Sequence, residues 1–131
     1  MFRRFVSASA IASMGIAVAA FGILLAPGLV LERVYPLTIV WCFAPLAWGL
    51  WAMLAPSSWV PQRLPIWGAI LGLIGGLLVF FVLNLPLRVV GVTVPVMLRG
   101  MGVVLIVVIY YLLWMLVRVA YRSVAAPLPT A

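Results

Sequence analysis

Charge interrupts this chain so rarely that the gaps between charges decide what it can become. Eight arginines and one glutamate are its charged side chains. Between them lie four long neutral runs: Phe5 to Leu31, Val34 to Gln62, Leu64 to Leu87 and Gly100 to Val117. Each can hold a helix of about 17 to 25 residues, the length a hydrocarbon layer of roughly 30 Å requires. Hydrophobic residues make up 69% of the chain and charged ones 7%, whereas soluble domains are roughly a quarter charged. The expectation is therefore an all-α membrane protein, a single polytopic domain over residues 1–131. Its four transmembrane helices form a small bundle, with spans near 5–26, 37–55, 66–85 and 101–117 and a short tail over 118–131.

The third run carries the clearest packing pattern. Gly68, Gly72 and Gly76 recur every fourth residue, with Gly75 beside them. On a helix this is a glycine zipper, a narrow groove in which another backbone can lie close. The first run has a second smooth face, in which Ala8, Ala12, Gly15, Ala19 and Gly22 follow at spacings of three and four. Gly15 with Ala19 is thus the expected partner surface for the zipper, and the first and third helices are expected to meet. The last run has no small-residue stripe and is expected to face lipid.

The remaining features set boundaries. Arg3 and Arg4 before an apolar core, with Ala17-Val18-Ala19 as an A-x-A shape, have the outline of a secretory signal. The apolar run continues to Leu31, which favours a retained helix. Pro27 and Gly28 end or bend it, and Glu32 with Arg33 marks the water boundary. In the second run Pro45 removes one backbone hydrogen bond and should kink the helix. Trp41 and Trp48 lie on one face with Pro45 between them, a place where an apolar ligand could stack. Pro56 to Pro65 is a loop, with Trp59 and Trp67 as interface anchors. Asn84 closes the third run. Between Arg88 and Arg99 the stretch VVGVTVPVML is too short to cross and is expected to lie as an interfacial segment before the last helix. Asn84, Arg88 and Arg99 would guard the mouth of any path through the bundle.

The chemical inventory is close to empty. The chain has no His, Asp or Lys, one carboxylate side chain, Glu32, and one cysteine, Cys42. General acid–base catalysis and metal ligation need several such groups brought together. The expectation is no enzyme activity, no cofactor and no metal. The net charge of +7 is scattered at the ends of apolar runs, which suits snorkelling to headgroups better than nucleic-acid binding. No span contains an ionisable group of the kind that couples transport to a gradient. Small multidrug carriers match the chain in size and span number but rely on a carboxylate in the first helix, and Glu32 lies at that helix's far end.

Two short resemblances bear on function. Leu64-Pro65-Ile66-Trp67-Gly68-Ala69-Ile70-Leu71-Gly72 resembles the Leu-Pro-Ile-Pro-Gly helix opening of small holin-like membrane proteins, with Trp67 where that family has proline. Arg4-Phe5 is similar to the start of small four-span flippases for polyprenyl-linked sugars, whose Asn-Arg and aromatic motif near the second helix this chain lacks.

These features lead to a small bacterial-type inner-membrane protein acting through helix packing, as an accessory or assembly subunit of a membrane complex or as a homo-oligomer. Its partners would be the lipid bilayer and other membrane subunits or itself. The alternative is an uncoupled conduit: a holin-like pore, or a carrier or flippase for a lipid-linked or apolar substrate. The positive-inside rule places both termini in the cytoplasm, with Arg3, Arg4, Arg63, Arg118 and Arg122 on that side against Arg33, Arg88 and Arg99.

Overall fold

The structure, a computed structural model, describes residues 1–25 and 41–125. Among these residues every regular element is helical. Helix α1 is Phe2–Leu24, α2 is Ala44–Met53, α3 is Leu64–Leu77 and α4 is Val96–Ala125. A π-helical turn over Leu78–Val82 continues α3 without a break, so the segment Leu64–Val82 is long and apolar enough to cross a membrane. So are Phe2–Leu24 and Val96–Val124, which gives three candidate spans. The expected second span, 37–55, is represented by α2, which is ten residues long and too short to cross by itself. Its first residues, Leu37 to Val40, lie outside the described residues, as do Pro27, Gly28, Glu32, Arg33 and the end of the tail.

Pro45 acts as expected of its chemistry but by starting a helix. Trp41 and Cys42 are helical, Phe43 interrupts the helix while keeping right-handed helical angles, and Pro45 occupies the first turn of α2, where its missing N–H has no partner to lose within that helix. The last helix is longer than its expected span, and the segment before it is partly helical. Pro86–Val90 forms a second π-helical turn, Gly91 adopts φ +73°, and α4 then runs well past both expected ends. Arginines had marked the span boundaries, yet arginine is a good helix former. A helix need only leave the hydrocarbon at Arg99 or Arg118; it does not have to stop there.

The helices pair antiparallel. Along α1 and α2, Phe5 and Ser9 press on Gly49, where a Cβ would lie 2.5 Å from the Phe5 ring. The Ser9 hydroxyl donates to the Pro45 carbonyl at 2.8 Å and the Arg4 guanidinium to the Ala55 carbonyl at 2.9 Å. Along α3 and α4, Gly68 lies against Trp114, Gly72 against Tyr110 and Gly76 against Val103. The roles reverse at the far end, where Phe80 of α3 lies on Gly102 of α4.

One core joins the two pairs: Ala8 and Ala12 of α1, Trp48 and Ala52 of α2 with Ala55, Leu64 of α3, and Trp114 and Val117 of α4. The start of α1, the loop before α3 and the end of α4 therefore share one end of the bundle. Trp51 and Trp67 clamp that end, their rings stacked at 4.7 Å. Each indole N–H donates to the other residue's carbonyl, at 3.0 and 2.8 Å. Trp51→Phe removes one of these bonds and keeps the stack, so it should cost about 0.5–1.5 kcal/mol in denaturant titration, measured by helical circular dichroism. A cost near zero would show the clamp to be incidental.

Candidate functional site

The zipper glycines are spent inside the chain. A Cβ at Gly68 would lie 2.5 Å from Trp114 Cβ and closer still to Cγ and Cδ1. At Gly72 it would lie 2.8 Å from Tyr110 Cβ and 3.2 Å from the Ile106 carbonyl, and at Gly76 3.3 Å from Val103 Cα. The expected partner is thus corrected: α4 fills the groove, and Gly15 with Ala19 does not. A groove of glycines accepts large side chains as readily as a second smooth face, and α4 offers Trp114, Tyr110 and Val103 at helical spacing. Gly75 is also corrected, because beyond its own stretch of helix no described residue lies within 4 Å of its Cβ position and it falls off the stripe.

Gly15 and Ala19 line something else. With Ile11 of α1, Trp41 and Trp48 around the start of α2, and Tyr110 of α4, they enclose an apolar cleft of about 310 Å³. Trp48 is 6% exposed and stands at the cleft floor, its ring 5.2 Å from Tyr110 and 5.6 Å from Trp114. Trp41 also borders a second cleft, of about 280 Å³, with Phe80 and Pro86. Both volumes lie at or below the lower end for small-molecule sites. Neither wall carries a charged group, so contact there is mainly by shape and dispersion.

Asn84, Arg88 and Arg99 do different jobs. Asn84 adopts φ +45° and ends the helical run; asparagine tolerates this left-handed geometry better than most residues. Its Oδ1 is buried with no hydrogen-bond partner. Arg88 is exposed. The Arg99 Nε donates to the Val94 carbonyl at 2.8 Å, which ties the arginine to the turn before its own helix.

Sequence reasoning missed Tyr110, Trp114 and Gly49. The bulky positions Val103, Tyr110, Trp114 and Val117 recur at helical spacing, and that stripe was the available signal for the buried face of α4. Gly49 stands alone in its run and gave none. Comparison with protein-family models, curated proteins and solved structures finds no match to the chain.

Proposed function

We propose that the chain works by helix packing in a bacterial-type inner membrane, as an accessory or assembly subunit of a membrane complex or as a homo-oligomer. In this reading both termini are cytoplasmic and the segment 37–55 makes a fourth crossing. The observation that carries it is the contrast between two small-residue faces. The face on α3 is filled by α4, whereas Gly15 and Gly22 on α1 have, beyond their own stretch of helix, no described residue within 4 Å of their Cβ positions. In lipid a smooth helix face lets another backbone approach closely, and van der Waals packing is the main source of association there. The double variant Gly15→Leu with Gly22→Leu should leave the fold intact and lower the native mass measured in lipid nanodiscs. An unchanged mass would overturn this face as the contact.

The apolar cleft favours a second reading, an uncoupled conduit or a carrier for a lipid-linked or apolar substrate that passes Trp41 and Trp48. Flux in proteoliposomes containing this protein alone separates the two: a packing subunit gives none.

A further inference from the structure

We propose that the end of the bundle where α1 starts and α4 finishes holds the phosphodiester of an anionic phospholipid, with Arg118 as its central ligand and Arg3 and Arg122 beside it. The fold brings these arginines to one end. Ala8 and Val117 share the core, Arg3 lies just over one turn before Ala8, Arg118 follows Val117, and Arg122 stands one turn further along α4.

Three other arginines are held by the chain itself. Arg4 donates to the Ala55 carbonyl, Arg99 donates to the Val94 carbonyl, and the Arg63 guanidinium lies 5.8 Å over the Trp59 ring. Arg118 is not: its Nε is buried without any hydrogen-bond partner. A buried N–H on a cation is costly to leave unpaired, more so than a neutral one. The described residues contain no carboxylate side chain to meet it, since Glu32 is the sole one in the sequence and lies outside them.

No described residue accepts from this N–H, so its acceptor comes from outside these helices. At the end of a membrane helix the anion at hand is a headgroup phosphate, and the planar guanidinium fork matches its oxygens in pairs. Arg3 and Arg122 are exposed and add two positive charges at the same end, where a cluster of basic side chains attracts anionic headgroups. Tyr121, partly buried against the core, brings a ring to the same level.

The test is electron paramagnetic resonance of the full chain in phosphatidylcholine vesicles, with spin-labelled phosphatidylglycerol compared with spin-labelled phosphatidylcholine as the protein-restricted lipid. The wild type should prefer phosphatidylglycerol, and Arg118→Gln should lower that preference by about fivefold. Arg122→Gln, at an exposed position that does not bear on folding, should lower it in the same direction. Arg118→Lys should retain part of it, and Arg88→Gln, at the other end, all of it.

Equal restriction of both lipids by the wild type would overturn the proposal, as would an equal loss in Arg88→Gln, which would mean diffuse surface charge. Loss of the preference in excess inorganic phosphate, but not in sodium chloride of the same ionic strength, would reassign the site to a free anion.

Discussion

Gly68→Leu is expected to take α3 off α4, at a cost of about 3 kcal/mol or more. The first added carbon would already overlap the root of the Trp114 side chain. Trp114 is 0% exposed and backs onto Trp48, so it has nowhere to swing. Gly72→Leu should follow it, because one of the atoms in its way is the Ile106 carbonyl, which belongs to the helix backbone. Gly75→Leu and Val79→Leu make comparable changes on the same continuous helix without entering the groove, and should leave stability unchanged. Unfolding in mixed micelles of increasing denaturing detergent, followed by tryptophan fluorescence, gives the ranking. If Gly68→Leu and Gly75→Leu unfolded together, the groove would not be what joins the helices.

Trp114→Ala should be the costliest single truncation, at about 3–5 kcal/mol. It empties the glycine groove and removes a ring from the contact with Trp48 at once. Trp114→Phe should lose far less, because it keeps an aromatic ring in the groove and discards an indole N–H that is buried without a partner, a group that costs about 1–3 kcal/mol where it stands. The two largest effects are also coupled. Gly68→Leu overfills the space that Trp114→Ala empties, so the double variant should be less destabilised than the sum of the two, by about 0.5–3 kcal/mol. Strict additivity in the same assay would mean that the two residues do not share that space.

What could be read from the sequence follows from where the information sits. Runs without charge mark helices in lipid, and α1, α3 and α4 each arise from such a run. Helix ends were less legible, since Arg99 and Arg118 report where a helix meets water and say nothing of where it stops. The zipper was legible as a groove, but its occupant was not. Glycine spacing describes a shape, and either a smooth helix or the large residues of α4 can fill it. Trp41 and Trp48 were singled out as one face, and they line one cleft. The opposite wall, Tyr110, comes from a helix whose uniform hydrophobicity hid which side faces inward. The orphaned Arg118 could not be foreseen, because burial of a single nitrogen depends on how four segments converge.

The reversal at Phe80 and Gly102 has a mechanical consequence. Large and small residues alternate between α3 and α4 so that each level of the pair holds one of each. Sliding α4 by one turn, about 5.4 Å, in one direction would bring Ile106 against Phe80. Sliding it the other way would bring Trp114 against Leu64 and leave Gly102 facing Gly76 with nothing between them. Each step would break the match at Phe80 and Gly102, so the present register is the one in which every level is filled. The interlock of large and small residues therefore sets the axial position of α4 on α3 as well as their closeness.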